Sequence, residues 1–274
     1  MNPRELDTLV AAAAVAAREA GAILRRRPAR VDRKGGAIDL VTEIDLASEA
    51  CIRQVLGART PDVPVQGEEG GGVTTGLRWV VDPLDGTTNF VHNYPAYVVS
   101  IGLCDGPTPL AGVIYDPLRD HLYRAARGGG AFREEAAGVE RLRVSDTREL
   151  LSALVVTGFP YRVHEGAGAY LALVARVLEA TQGLRRSGSA AFDLATVSSG
   201  RVDAFWEFGL NAWDTAAGAA IVVEAGGVVS AVDGAPWAPG DHGVLATNGF
   251  VHEAMIRLFA DLPRPGPPVT RPVR

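Results

Sequence analysis

Residues 79–90 read Trp79-Val80-Val81-Asp82-Pro83-Leu84-Asp85-Gly86-Thr87-Thr88-Asn89-Phe90. Trp79, Val80 and Val81 are strand formers. Asp82-Pro83-Leu84-Asp85, with Asp first and Pro second, predicts a tight β-turn. Such a turn brings its end Cα atoms within about 7 Å of each other. Two carboxylates that close repel unless one is protonated or a cation lies between them. Oxygen-only donors favour a hard divalent ion such as magnesium. Gly86 and Thr87 follow with backbone N–H groups where a helix start would favour a phosphate. The stretch predicts an apolar strand that ends in an acidic, cation-binding corner.

The chain has 274 residues, 47% hydrophobic and 22% charged. This is the make-up of a soluble globular protein with one large domain or two smaller ones. A net charge of −5 argues against a nucleic-acid binder. Cys51 and Cys104 are too few for a disulfide framework or a thiolate metal site and fit a reducing cytoplasm. No apolar run approaches the roughly 20 residues that span a bilayer, so the expectation is a cytoplasmic protein without membrane association.

Asn2-Pro3-Arg4-Glu5 reads as a helix start rather than a signal peptide, with Asn as cap, Pro at the first position and Glu three residues on. Leu6, Leu9, Val10, Ala13, Ala17, Ala20 and Leu24 recur at helical spacing. Arg25-Arg26-Arg27 complement the dipole at the end of that helix, and Pro28 stops it. A second helix is predicted from Thr42 to Leu56, ended by Gly57. Short strands at Tyr97–Leu103, Ala111–Tyr115 and His121–Ala125, joined by turn residues, predict antiparallel pairing.

The charged stretch Arg133–Leu150 reads as irregular and as the boundary between subdomains 1–145 and 146–262. Beyond it, strands at Leu154–Thr157, Ala204–Phe208, Val228–Val232 and Gly243–Thr247 alternate with helices at Ala169–Ala180, Ser189–Ser199, Asp214–Glu224 and Val251–Leu262. Residues 263–274, rich in proline, read as a disordered tail.

Three other places supply acids that would join Asp82 and Asp85. Glu68-Glu69 lies in a glycine-rich loop, which lets backbone approach a ligand. Asp214 opens a helix, where an N-cap would also explain it. Asp45 stands three residues after Thr42, the spacing of a capping box. The histidines (His92, His121, His164, His242 and His252) show no metal-ligand spacing and read as surface or loop residues. Arg185-Arg186 could face a phosphate or a partner subunit, and reads first as solvated or interfacial.

Trp79–Phe90 resembles the metal-binding signature of the inositol monophosphatase family, and Trp213–Gly227 resembles that family's second signature. Lys34–Asp45 and Gly67-Glu68-Glu69 fit its N-terminal elements in the same order. The resemblance implies an α+β fold, a layered αβαβα sandwich of the inositol monophosphatase and fructose-1,6-bisphosphatase type, assembled as a homodimer. It implies two or three magnesium ions per site. Glu68, Asp82 and the Leu84 carbonyl would hold one ion, and Asp82, Asp85 and Asp214 a second, with a weaker third near Glu68. Asp45 and Thr87, with Glu68, would orient and deprotonate the attacking water, while Lys34 and Glu69 support the site.

For substrate, the resemblance implies contacts from Asp85, Gly86, Thr87, Gly188, Ser189, Ala190, Glu207 and Asp214. Tyr161 stands near where animal relatives carry a serine that contacts substrate. The implied activity is magnesium-dependent, lithium-sensitive hydrolysis of small sugar or polyol phosphates, inositol 1-phosphate first, by direct attack of water. Thr88-Asn89 after the Gly-Thr step resembles the inositol branch. Fructose-1,6-bisphosphatase or histidinol-phosphatase activity is the enzymatic alternative. Binding to the transcription machinery, as in some bacterial relatives, is the alternative of another class.

Overall fold

The computed structural model describes residues 1–26, 31–33, 40–160 and 167–261. Lys34, Tyr161, His164 and the tail 263–274 lie outside the described residues. Helix α1 (Pro3–Leu24) starts as its sequence requires: Asn2 accepts from the Glu5 N–H at 3.0 Å, and the Glu5 carboxylate accepts from the Asn2 N–H at 2.9 Å. Leu6, Val10, Ala13, Ala17, Ala20 and Leu24 are buried, with Leu9 half-buried. At its end Arg25 reaches the Tyr115 hydroxyl at 3.4 Å.

Helix α2 (Glu43–Arg59) is capped by Thr42 but runs through Gly57, contrary to expectation. Gly57 keeps helical backbone, and Thr60 ends the helix by directing both its N–H and its hydroxyl at the Leu56 carbonyl.

Strands β1 (Val31–Arg33) and β2 (Leu40–Thr42) form a small antiparallel pair. The first large sheet has seven strands in chain order: β3 (Val65–Gly67), β4 (Leu77–Asp85), β5 (Val98–Asp105), β6 (Thr108–Asp116), β7 (His121–Ala126), β8 (Gly130–Glu135) and β9 (Gly138–Arg141). The β3–β4 pair is parallel and the remaining pairs are antiparallel.

The charged stretch expected to be irregular thus carries β8 and β9, and regular structure lapses only from Leu142. Its charges suit an edge ribbon, where Arg133 pairs with Glu140 at 2.8 Å and Glu135 at 3.3 Å.

The second sheet has the order β11 (Gly183–Arg185), β10 (Leu154–Thr157), β12 (Ala204–Phe208), β14 (Gly243–Thr247) and β13 (Val228–Ser230). Its helices are α4 (Ala167–Ala180), α5 (Ala190–Ser198), α6 (Ala212–Glu224) and α7 (His252–Phe259), and the short α3 (Thr87–Val91) follows β4.

Alternation along the strands sets the layers. Trp79, Val81 and Leu84 of β4 pack with α1 and α2, whereas Val98, Ile114 and Tyr123 face α5 and α6. On β12, Ala204, Trp206 and Phe208 face α4 and α7, and Phe205 faces α5. The result is an α+β stack of five layers, α/β/α/β/α.

Helix α6 lies unusually close to the first sheet. Gly102 and Gly112 are paired across β5 and β6. A Cβ on Gly112 would stand 2.2 Å from the Ala217 carbonyl oxygen, and one on Gly102 2.7 Å from Ala216 Cβ. Gly112→Val is therefore expected to lower stability by at least about 1–3 kcal/mol through overpacking. Gly57→Ala, where nothing lies within 4 Å, is expected to raise it by about 0.5–1 kcal/mol. Urea unfolding of both variants measures this, and an unchanged midpoint for Gly112→Val would contradict the close seating.

Candidate active site

The acidic corner is built differently from the expected turn. Asp82 pairs with Ser100 and Asp85 with Val98, so two residues of β4, Pro83 and Leu84, stand opposite the single Val99. This is a β-bulge inside a continuing strand, and Pro83 sits where a missing ladder N–H does no harm. In a regular strand, residues three apart point to opposite faces. The extra residue resets that parity and turns Asp82 and Asp85 to the same side, toward α5 and α6.

The bulge is held by the Leu84 N–H donating to Asp82 Oδ1 at 2.9 Å and by the Ser48 hydroxyl donating to the Pro83 carbonyl at 2.9 Å. Gly86, at φ +98°, then starts α3, and a Cβ there would stand 2.8 Å from the Ala96 carbonyl oxygen.

Glu68, Asp82, Leu84, Asp85, Gly86, Thr87, Gly188, Ser189, Ala190, Glu207 and Asp214 all line one cavity of about 500 Å³. The expected metal and substrate residues, drawn from both sheets, thus converge. Asp214 does not open its helix as expected. Asn211 is the cap, and Asp214 stands three residues on, accepting from the Asn211 N–H at 2.6 Å.

Burial pushes the Asp82 carboxyl well above its usual range, and the charges of Glu68, Asp85 and Asp214 add to it. Burial likewise raises Asp214, reinforced by Asp85 and Glu68. Carboxylates whose charges raise one another in this way are relieved by a shared proton or by a cation between them. Such a set of oxygen donors, Asp82 and Asp85 buried and Glu68 and Asp214 half-buried, fits a hard divalent cation. It is not a finished cage, however: among the described residues, no three His, Cys, Asp or Glu side chains are grouped to hold an ion as they stand.

Asp45 serves two ends at once. Its Oδ2 accepts from the Thr42 N–H at 2.8 Å and the Thr42 hydroxyl at 2.6 Å, which is the helix-start role. Its Oδ1 accepts from the Thr87 hydroxyl at 3.0 Å, with the Leu84 carbonyl as that hydroxyl's other acceptor at 3.2 Å. Asp45 is 1% exposed and Thr87 7%, so this chain of bonds is shielded from bulk water.

The start of α5 serves Asp85. The Ser189 hydroxyl donates to Asp85 Oδ2 at 2.7 Å and the Ala191 N–H donates to the same oxygen at 2.6 Å. Burial nevertheless pushes Asp85 up to about 6 against those bonds. Glu207, on the α5-facing side of β12, is raised well above its range by burial and by the charges of Asp193, Asp214 and Asp85. A Cβ on Gly158 would strike its carboxylate.

Arg186 lines the cavity, the phosphate-facing alternative that the sequence left open, rather than a solvated position. Other neighbours escaped the sequence reading, among them His92, which lines the same cavity. His252 is buried between the Ser230 and Thr247 hydroxyls, not in a surface loop. Asp193 is buried one turn into α5, and burial raises it too. Glu49 binds the loop that carries Glu68 and Glu69. The signal was available for Glu49, four residues after Asp45 and four before Arg53 on one helix. None marked Asp193.

The raised carboxyls set a pH dependence. Asp85 titrates near 3.8 unfolded and about 6 folded, so its contribution to stability is complete below 3.8 and is lost as pH rises through 6. Asp82, Asp214 and Glu207 shift in the same direction. In a chelator, thermal melts are expected to rise between pH 7 and pH 5, and magnesium is expected to flatten that rise. Identical profiles with and without magnesium would mean that the ion does not engage these groups.

Comparison with known proteins agrees with this architecture. A model of the inositol monophosphatase family matches residues 5–264. The inositol-1-monophosphatase of Synechocystis sp. is 42% identical over 269 residues, covering 96% of this chain and 92% of that protein. The Nus factor SuhB of Pseudomonas aeruginosa is 44% identical over 226 residues, covering 78% of this chain and 82% of that protein. The solved inositol monophosphatase of Anabaena has a TM-score of 0.84 at 42% identity, covering 94% of this chain and 98% of that one. On sequence and on fold alike, the chain belongs to the inositol monophosphatase family.

Proposed function

We propose that the protein hydrolyses small phosphate monoesters, inositol 1-phosphate foremost, with magnesium as cofactor. The observation that carries this reading is the gathering of Glu68, Asp82, Asp85 and Asp214 in one cavity that also holds Thr87 and Glu207. Glu68, Asp82, the Leu84 carbonyl, Asp85 and Asp214 are the residues that would hold two or three magnesium ions, and a lithium ion in place of one. Bound there, the ions would supply positive charge to the phosphoryl oxygens and lower the pKa of water.

The chain's own residues do the rest. The attacking water gives its proton to Thr87 Oγ1 as the Thr87 proton passes to Asp45 Oδ1. A bond forms from the water oxygen to phosphorus, the ester P–O bond breaks, and the leaving alkoxide takes a proton from solvent. Inorganic phosphate and the free alcohol result. Ser189 and the Ala191 N–H hold Asp85 in place. Glu207, with Gly188 and Ala190, offers the hydroxyl contacts suited to a polyol. Residues 1–145 would supply most of the ion ligands, and 146–262 would complete the site. The cytoplasm, where magnesium and such esters are both found, is the proposed compartment, and a homodimer the proposed assembly.

Asp82→Asn and Asp214→Asn are each expected to lower magnesium-dependent phosphate release at least about 100-fold while the fold is kept. Thr87→Ala is expected to cost about 10²–10⁴-fold in kcat. A phosphate-release assay over inositol 1-phosphate, fructose 1,6-bisphosphate, histidinol phosphate and an adenosine bisphosphate measures these effects and ranks the substrates. Wild-type rates in either Asn variant would overturn the ligand assignment, and a dominant rate on another substrate would overturn the choice of inositol phosphate.

A second reading, association with transcription factors, is favoured by the 44% identity to a Nus factor SuhB. Pull-down by wild type and Asp85→Asn equally, with no hydrolysis by either, would establish it in place of the enzyme.

A further inference from the structure

Two backbone bonds tie the loop that carries Glu68 and Glu69 to the first sheet: the Glu68 N–H donates to the Val81 carbonyl at 3.1 Å, and the Gly67 N–H closes on the Gly71 carbonyl at 2.9 Å. The next two N–H groups are taken by a side chain from α2. Glu49 Oε2 accepts from the Glu69 N–H at 2.7 Å, and Oε1 accepts from the Gly70 N–H at 2.8 Å. Glu49 is 3% exposed, and its charge is met by Arg53 Nε at 2.8 Å.

Arg53 spreads its remaining donors over the same loop, to the Val65 carbonyl at 3.1 Å and the Gly71 carbonyl at 2.6 Å. The glycines fit this clamp. A Cβ on Gly67 would lie 2.4 Å from the Glu49 carboxylate, and one on Gly70 2.7 Å from Oε1. Charge-assisted bonds to backbone amides are short and about twice as strong as neutral ones.

We propose that Glu49, locked by Arg53, is a positioning residue for cation binding: it fixes the backbone on either side of the Glu68 side chain so that this carboxylate meets the ion. The proposal rests on Glu68 being an ion ligand, as the proposed function has it. Glu49 itself touches neither ion nor substrate. Glu49→Gln keeps the shape but turns one amide acceptor into a donor facing an N–H. Arg53→Met leaves the amide bonds and removes their charged anchor.

The test is manganese binding to the chelator-treated protein, followed by electron paramagnetic resonance, with hydrogen exchange of the Glu69 and Gly70 amides. Magnesium half-saturation and substrate KM are measured alongside. Glu49→Gln is expected to weaken manganese binding and raise magnesium half-saturation about 10–100-fold, the range for groups that support ligands, with KM at saturating magnesium changed less than about two-fold. Arg53→Met is expected to give a smaller change in the same direction and serves where Glu49→Gln does not fold. Wild-type affinity in a folded variant whose two amides exchange faster would overturn the proposal and leave the ligand assignment standing. Failure of the wild type itself to bind manganese would overturn the assignment.

Discussion

Carboxylates brought together out of water repel one another, and everything distinctive about this protein follows from how that repulsion is arranged and relieved. Asp82 and Asp85 face the same way because a single extra residue interrupts the β4–β5 ladder. Asp214 comes to them from the first turn of α6, and Glu68 from the loop after β3. Burial and mutual charge raise Asp82 and Asp214, the direction that favours either a shared proton or a bound cation. An arrangement so costly to leave unpaired is suited to a cation.

Three of these acids, Asp82, Asp85 and Asp214, also have a partner that fixes their direction. Leu84 N–H serves Asp82, the start of α5 serves Asp85, and the Asn211 N–H serves Asp214. Residues that look like helix caps in isolation are therefore part of the site. Asp45 is the clearest case, because its two oxygens divide between the Thr42 cap and the Thr87 hydroxyl. For Asp45 a structural bond at one oxygen leaves the other at the Thr87 hydroxyl, so the cap does not exclude a chemical role.

Much of this was legible in advance because it depends on local chemistry. The cap of α1, the antiparallel strands β5 to β7 and the strands β10, β12 and β14 follow from capping residues, turn residues and apolar alternation. What the sequence hid depends on cross-strand context. The bulge at Pro83 and Leu84 carries the same residues as a turn, and only the pairing with β5 distinguishes them. The strands β1, β2, β3 and β11 are three residues each, too short for any periodicity. β8 and β9 are strands despite their charge, with Arg133 directly opposite Glu140 across the ribbon. Asp193 comes near Asp85 through tertiary packing that no spacing announces.

The glycine pair beneath α6 has a further implication. Where Gly102 and Gly112 meet Ala216 and Ala217, the helix rests almost directly on sheet backbone, which limits movement of Asp214 relative to Asp82. Thr88, His92, Phe159, Pro160 and Leu210, which also line the cavity, lie on segments outside that contact. A change of bulk at one of them alters the shape of the cavity without shifting the helix that carries Asp214.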